Sequence, residues 1–200
     1  MKKRLVSYHS STLYYNMSKS SNSKKKGKKM EFSTGQREAL STISNMFIEI
    51  TDICDKHNLG DPFNYARSKE MLIANRLGHY LSEEYSGADG YELSGDGAEY
   101  KSTIAKKIQA TYNGISVQPT WKEQVEYLEN DKIGKYPNHY YARFEGARIV
   151  EVYQMKADKV LSLLLPKLKR KFNTVKNNKD PRLGATIGSK DIIKYGKKLL

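Results

Sequence analysis

The tight turn Ser94-Gly-Asp-Gly97 is the feature that most constrains the fold of this 200-residue chain. Glycine accepts the backbone conformations that a short chain reversal needs. Strand-forming residues lie on both sides of the turn, over residues 91–93 and 98–104. The segment therefore predicts a β-hairpin in the middle of the chain.

Two helices are predicted before this hairpin. Five apolar residues recur every three or four positions and predict an amphipathic helix from the N-cap Ser33 to about His57. These residues are Leu40, Ile43, Phe47, Ile50 and Cys54. Asp61 as N-cap and Pro62 at the first helical position predict a second helix that ends at Leu77.

Helix and strand patterns alternate after the hairpin, and Thr120 with Glu123 forms a capping box at the first of them. The predicted elements are a helix over 120–130, two hairpin strands over 138–144 and 147–155, and a helix over 157–172 kinked at Pro166. The pattern over residues 105–119 fits either a strand or a loop. Residues 173–200 are predicted to form a basic loop with a short element at 191–195. This order predicts an α/β fold with a mixed central sheet flanked by helices.

Charge is distributed unevenly along the chain, which has a net charge of +13. Residues 1–30 and 167–200 carry +9 each, whereas residues 31–166 carry −5. Basic ends around a carboxylate-rich centre suit a metal-dependent enzyme that acts on a polyanion, although basic ends can also be solvated tails. The single cysteine, Cys54, excludes an internal disulfide and is expected to be a small core residue.

Three residues of the predicted hairpin form a candidate site. Glu99 and Lys101 are two positions apart in a strand, so their side chains project from the same face. Asp89 lies near the start of the partner strand, where the hairpin can bring its carboxylate beside that of Glu99. Two carboxylates and a backbone carbonyl make an oxygen-only site that suits Mg²⁺. A neighbouring lysine can orient or help deprotonate a water, or neutralise charge on a phosphate.

Asp89, nine intervening residues and Glu99-Tyr-Lys101 together resemble the motif of the PD-(D/E)XK nuclease superfamily, which includes most type II restriction endonucleases. The chain departs from that motif at Ala88, where the family has a proline. The resemblance implies a restriction-endonuclease-like fold and Mg²⁺-dependent hydrolysis of double-stranded DNA that leaves 5′-phosphates. Mn²⁺ is the implied substitute, and a homodimer would supply one active site per strand.

Glu70 is a candidate fourth member of the site. It lies three and seven residues before Ile73 and Leu77, on the apolar face of the second predicted helix. Many superfamily members have a glutamate on this helix that reaches the metal site. The alternative is that Glu70 pairs with Arg67 or Arg76 at the edge of the helix.

Further side chains are candidates for contacting DNA. Those proposed for phosphates are Lys106, Lys107, Gln109, Lys167, Lys169, Arg170 and Lys171, and those proposed for base edges are Asn113, Gln118 and Arg143. The expected organisation is a flexible basic segment over 1–30, a nuclease core over 31–172, and a basic extension over 173–200 that packs on the core or contacts DNA. Tyr140 and Tyr141 alternate in a strand, so at least one of them is expected in the core.

Other functions are less well supported by the sequence. The four histidines show no metal-ligand spacing and are expected at the surface or at helix caps. The rival interpretations are a non-catalytic basic DNA- or RNA-binding protein and a repair or junction-resolving nuclease of the same superfamily. No apolar run reaches the length of a membrane span, and we expect a cytoplasmic protein, or a nuclear one in a eukaryotic or viral source.

Overall fold

The structure is a computed structural model that describes residues 34–83, 87–175 and 178–200. The chain divides into two compact units, residues 1–41 and 42–200. Of the first unit, only residues 34–41 are described, and they begin the first helix. The basic segment 1–30 and the predicted N-cap Ser33 lie outside the described residues.

Helices and strands alternate along the described residues. The helices are α1 (Thr34–Lys56), α2 (Arg67–Leu77), α3 (Trp121–Tyr127), α4 (Ala157–Val175) and α5 (Ser189–Tyr195). The strands are β1 (Tyr80–Leu81), β2 (Gly90–Tyr91), β3 (Gly97–Thr103), β4 (Ala110–Ser116), β5 (Asn138–Glu145), β6 (Arg148–Lys156), β7 (Arg182–Ile187) and β8 (Lys197–Lys198). A π-helical turn, Leu128–Lys132, continues α3.

Six strands form one mixed sheet in the order β1-β2-β3-β5-β6-β8. The β3–β5 pair is parallel and the other pairs are antiparallel. A separate antiparallel pair is formed by β4 and β7. The predicted α/β class with a mixed sheet flanked by helices is confirmed, and so are both predicted hairpins.

Each face of the central sheet has its own hydrophobic core. On one face, Ile73 and Ala74 of α2 pack against Tyr100 and Tyr140. On the other face, Tyr141 packs in a larger core that includes residues of α4, β4 and β7. Tyr140 and Tyr141 point to opposite faces because side chains alternate along a strand, and both are buried. The expectation that at least one is a core residue is confirmed.

The second helix begins later than predicted, at Arg67. The Asp61 carboxylate accepts a hydrogen bond from the Phe63 N–H at 2.8 Å, which closes a local turn instead of capping a helix. Tyr65 then adopts a left-handed backbone, with φ of 46°, which a continuous helix does not allow. The predicted end is confirmed, because Leu77 is followed by Gly78 in a left-handed C-cap.

The prediction that residues 173–200 are mostly loop is wrong. Helix α4 continues to Val175, β7 pairs with β4, and β8 extends the central sheet beside β6. Leu183, Ala185 and Ile187 alternate into the core, so β7 follows the period of a half-buried strand. Its partner lies about 70 residues earlier in the chain, a separation that local patterns do not reveal.

Local signals elsewhere gave the expected elements. The Thr120 hydroxyl accepts from the Glu123 N–H at 3.2 Å, and the Glu123 carboxylate accepts from the Thr120 N–H at 2.8 Å, which confirms the capping box. The helix predicted over 34–57 is confirmed as α1, and Cys54 on it is only 3% exposed. Within the described residues, none of the helices combines the length and apolar character that a membrane crossing requires.

Candidate active site

Strand register brings Asp89 and Glu99 together. Gly90 pairs with Ala98, and the Asp89 N–H donates to the Ala98 carbonyl at 3.0 Å. The next position outward therefore lies opposite Glu99, and opposed residues of antiparallel strands project from one face. The Asp89 carboxylate also accepts a hydrogen bond from the Tyr100 N–H at 2.6 Å. The Asp89 side chain thus supplies a hydrogen-bond acceptor to the β3 backbone just outside the short strand β2.

Lys101 lies on the same face of β3 as Glu99 and forms an ion pair with it. Its ammonium group also donates to the Tyr100 carbonyl at 3.3 Å and lies 5.3 Å from the centre of the Tyr112 ring. A cation over an aromatic face is attracted by the ring quadrupole. These contacts hold the lysine in the site, where its side chain is 24% exposed.

The electrostatic state of the site follows from two carboxylates that share one lysine. Burial, reinforced by the Glu99 carboxylate, raises the pKa of Asp89 to about 7, although Lys101 and the Tyr100 N–H act against this rise. Burial alone would lower the pKa of Lys101, but Glu99 and Asp89 outweigh it and hold that pKa above its usual value. The lysine therefore stays protonated, while Asp89 changes charge near neutral pH.

Buried aromatic residues form the floor beneath this ion pair. Parallel pairing of β3 with β5 places His139 beside Glu99 and Tyr141 beside Lys101. The Tyr112 hydroxyl lies 2.9 Å from Nδ1 of His139 and 3.1 Å from the Tyr141 hydroxyl. Nε2 of His139 lies 3.1 Å from the Ile133 carbonyl, an acceptor, so Nε2 carries the proton and Nδ1 accepts from Tyr112.

His139 is therefore a structural residue in the core, and the expectation of a surface or capping role for it is wrong. It is fully buried, and burial lowers its pKa to about 4. A neutral imidazole with both nitrogens hydrogen-bonded can lie in a core without an uncompensated charge. No sequence pattern indicates this partnership, because Tyr112 and Ile133 reach His139 through tertiary contacts.

A pocket of about 220 Å³ opens next to the ion pair. Its lining residues come from β3, β4 and the π-helical turn: Glu99, Lys101, Tyr112, Asn113, Ile115, Lys132 and Ile133. Asn113 was predicted as a nucleic-acid contact, whereas Lys132 was not predicted. The wider π-helical turn that carries Lys132 is stabilised by the Ile133 and Gly134 N–H groups, which both donate to the Leu128 carbonyl.

The Lys132 position depends on a close backbone contact that sequence patterns do not reveal. A Cβ at residue 134 would overlap the Glu129 carbonyl, so glycine is required where the chain leaves the turn. The signal that could have drawn attention to this region is the Gly134 that follows the predicted helix. The pocket therefore combines the ion pair of Glu99 and Lys101 on β3 with residues of β4 and with a lysine from a third part of the chain.

Glu70 forms the predicted alternative ion pair with Arg67, at 3.4 Å. Arg67 is almost fully buried, and its guanidinium also donates to the carbonyls of Leu59 and Ser82. The Glu70 carboxylate nevertheless adds to the rise in the pKa of Asp89, after burial and Glu99. It is thus part of the electrostatic surroundings of the site while it balances a buried arginine.

The opposite face of β3 is held by a second polar network. Nδ1 of His79 lies 2.9 Å from the Tyr100 hydroxyl, and the Tyr140 hydroxyl donates to the Glu92 carboxylate at 2.9 Å. The His79 and Tyr140 rings meet edge to face, with centroids 4.9 Å apart. This network fixes Tyr100 between the two site residues of the strand, and so limits the movement of the β3 backbone at the site.

The remaining predicted nucleic-acid contacts fall in three places. Lys106, Lys107 and Gln109 are exposed between β3 and β4, and Gln118 lies just before α3. Lys169 and Arg170 are exposed on α4, beside a surface groove that also includes Lys167. Lys167 and Lys171 themselves donate to the carbonyls of Thr186 and Gly184, both at 2.9 Å, and so brace α4 against β7.

Arg143 is engaged within the second hairpin. Its guanidinium donates to Glu145 at 2.8 Å and to Glu151 at 2.9 Å. Two carboxylates therefore already neutralise it, which favours a role in holding β5 to β6 over one in reading bases.

The donors at the site fit a hard divalent cation. Asp89 and Glu99 supply carboxylate oxygens and Tyr100 supplies a backbone carbonyl. Burial and the Glu99 carboxylate raise the pKa of Asp89, so a cation beside it would stabilise its ionised form. Among residues 34–83, 87–175 and 178–200, no three His, Cys, Asp or Glu side chains cluster as a metal site. A cation here would therefore depend on the carbonyl and on water for its other ligands.

Comparison with known proteins adds no assignment. A scan against protein-family models and a search of curated proteins found no match to this chain.

Proposed function

We propose that this chain is a Mg²⁺-dependent endonuclease of the PD-(D/E)XK type that hydrolyses phosphodiester bonds in double-stranded DNA. The observation that carries the proposal is the convergence of Asp89, Glu99 and Lys101, the last two of which line an open pocket. Two neighbouring carboxylates next to a protonated lysine are the groups that metal-assisted phosphodiester hydrolysis uses.

Each residue has a distinct part in this proposal. Asp89 and Glu99 would hold Mg²⁺ with the Tyr100 carbonyl, and Mn²⁺ would substitute. The bound ion would neutralise phosphate charge and lower the pKa of the attacking water. Lys101, kept protonated by its two carboxylate neighbours, would orient that water and stabilise the charge that develops on the phosphate. Glu70 would modulate the charge of the site from α2.

The pocket and the basic surfaces suggest how the substrate would bind. Lys132 and Asn113 border the pocket next to Lys101, where an adjoining phosphate and a base edge would lie. Exposed Lys169 and Arg170 on α4 offer further phosphate contacts. The family resemblance favours a sequence-specific enzyme that acts in the cytoplasm as a homodimer, with one active site for each DNA strand.

A non-catalytic nucleic-acid-binding protein is the second candidate. It is favoured by the direct ion pair between Glu99 and Lys101, which could serve only to brace β3. DNA cleavage distinguishes the two candidates, because an ion pair that only stabilises β3 would not hydrolyse DNA.

The test uses the full chain, supercoiled plasmid and Mg²⁺, with EDTA as the metal-free control. We expect nicked and linear products or discrete fragments with Mg²⁺, and intact plasmid with EDTA. Glu99→Gln should abolish cleavage, whereas the matched variant Asp96→Asn, in the exposed hairpin turn, should retain it. Plasmid that stays intact with both Mg²⁺ and Mn²⁺ would contradict the proposal.

A further inference from the structure

Helix α1 has an apolar face that this chain leaves open. Five large apolar side chains of α1 each retain between 42% and 54% of their exposure: Ile43, Met46, Phe47, Ile50 and Ile53. We call these five residues the α1 face. An exposed apolar surface this concentrated marks a place where another surface docks.

The spacing along α1 indicates what kind of surface that is. Ile43, Phe47, Ile50 and Cys54 follow intervals of four, three and four residues, the 3.5-residue period of a helix–helix seam. Met46 and Ile53 widen the seam on one side. At its C-terminal end the seam enters the chain's own core, where the Cys54 thiol lies 4.0 Å from the Met71 sulfur. From Ile53 towards the N-terminus it is uncovered.

A neighbouring aromatic residue extends the α1 face. The Phe47 and Phe63 rings meet edge to face, with centroids 5.1 Å apart, and Phe63 is itself 58% exposed. Both rings line a groove of about 300 Å³, together with Ser44, Ile48, Thr51 and Asp52. The Thr51 hydroxyl donates to the Phe47 carbonyl at 2.9 Å, so its polar group already has a partner.

We propose that the α1 face, with Phe63, is the surface through which two copies of this chain form a dimer. A 3.5-residue seam is complementary to another seam of the same period, and a second copy presents one of equal length. A twofold arrangement buries the same patch on both subunits. With half-exposed side chains of this size, the patch amounts to roughly 600 Å² per copy, which approaches the roughly 800 Å² per partner of a standard interface.

Other occupants match the α1 face less well. The five residues of the α1 face are uncharged, and the one charged residue that lines the groove beside Phe63 is Asp52, whose carboxylate would repel the phosphates of a nucleic acid. Residues 18–29, which closely precede the helix in sequence, contain only serine, lysine, asparagine and glycine and cannot fill an apolar seam. A second copy supplies the missing apolar partner without any further component.

The inference does not depend on the nuclease proposal, and its test does not use activity. Sedimentation equilibrium of the full chain over a range of concentrations should give twice the chain mass of 22.9 kDa. Phe47→Asp and Ile50→Asp should each weaken the dimer by about 100-fold or more, because a charge would be buried at its centre. Asn45→Asp, which adds the same charge away from the seam, should leave the mass doubled.

Circular dichroism of each variant measures whether the helix content is retained. We expect it to be unchanged, because the substituted residues are at least partly exposed. A full chain that remains monomeric at all concentrations would overturn the inference. So would a dimer that persists in both Phe47→Asp and Ile50→Asp, since it would use another surface. Plasmid cleavage by the same samples reports separately on the proposed function.

Discussion

At the residue scale, the charge balance of the site depends on how two carboxylates share one lysine. Glu99 is paired directly with Lys101, whereas Asp89 is satisfied mainly by the Tyr100 N–H. Asp89 therefore bears the unfavourable part of burial and repulsion, and its pKa is the one that rises to about 7. A carboxylate in this position is the group that a bound cation would stabilise most.

The raised pKa of Asp89 predicts a specific dependence of stability on pH. Its usual pKa is 3.8, so between about 4 and 7 the folded state holds this proton more tightly than the unfolded state does. The contribution of Asp89 to the free energy of unfolding is therefore full at low pH, falls as the pH rises through this window, and is constant above it.

Asp89→Asn should remove this loss, because the amide stays neutral. Without metal, the variant should gain about 1–3 kcal/mol over the wild type between pH 5 and pH 8. Urea denaturation in EDTA at both pH values measures the difference, and Asp96→Asn in the exposed turn is the control. A difference between variant and wild type that does not grow with pH would contradict the assigned environment of Asp89.

Lys132 provides a test of the pocket that is separate from the ion pair. Lys132→Gln should weaken DNA binding on the order of tenfold while changing the rate at saturating DNA much less, because a phosphate contact supports binding more than chemistry. The matched variant is Lys135→Gln, which removes a nearby lysine that lies over the Tyr136 ring. Fluorescence anisotropy in Ca²⁺ or EDTA measures binding. Equal effects of the two substitutions would show that the pocket has no special part.

At the element scale, local chemistry explains which parts of the fold could be predicted. The hairpin of β5 and β6 reverses at Gly146, which has φ of 60°, and its residues carry a clear strand pattern. Elements whose partners are distant were missed. Within the described part of the chain, strands β4 and β7 pair only with each other. Two-residue strands such as β1 leave too short a pattern to detect.

The candidate motif shows the same limit. Asp180 and Arg182 have the same spacing as Glu99 and Lys101, yet they form an exposed ion pair at 3.0 Å. Spacing alone therefore does not identify a site. Glu99 differs in two respects: Asp89 lies beside it, just before β2, and the buried side chains of Tyr112 and His139 lie beneath it. Only the first of these could be predicted from sequence.

Gly90 of β2 allows close packing against β1 and against Tyr100 of β3. A Cβ there would lie 2.9 Å from the Tyr80 carbonyl and would overlap the Tyr100 hydroxyl. Gly90→Ala should therefore displace Tyr100 and destabilise the protein by about 1–3 kcal/mol.

Thermal or urea unfolding measures this loss. Gly35→Ala is the matched control, because a Cβ at that helical position meets no atom within 4 Å and should be neutral or slightly stabilising. If Gly90→Ala were as stable as the wild type, the close packing of β2 on Tyr100 would not be as described.

At the scale of the whole molecule, the site is assembled from distant parts of the chain. The hairpin supplies Asp89, Glu99 and Lys101, β4 supplies Tyr112, and β5 supplies His139. The parallel pairing of β3 and β5 requires the intervening chain to cross over, and that crossover carries β4, α3 and the π-helical turn. The hairpin residues could be predicted because they are close together in the sequence. Tyr112 and His139 could not be predicted, because the crossover and the pairing of β3 with β5 bring them to the site.

The distribution of charge also has a different meaning once the fold is known. The basic C-terminal region is partly structural, since β7 completes a sheet with β4 and two lysines of α4 donate to its carbonyls. Exposed Lys169 and Arg170 remain as candidates for phosphate contacts on α4. Positive charge therefore indicates where a polyanion would be held, whereas the carboxylates of the hairpin indicate where it would be cut.

The most direct test of the central claim is to separate cleavage from binding at Lys101. In Mg²⁺, Lys101→Ala and Lys101→Met should lower the single-turnover cleavage rate by about 1,000-fold or more, with DNA affinity within about fivefold of the wild type. Lys122→Ala, which removes an exposed lysine of α3, should change neither quantity. Folded variants that bind and still cut DNA at the wild-type rate would contradict the assignment of Asp89, Glu99 and Lys101 as a nuclease site.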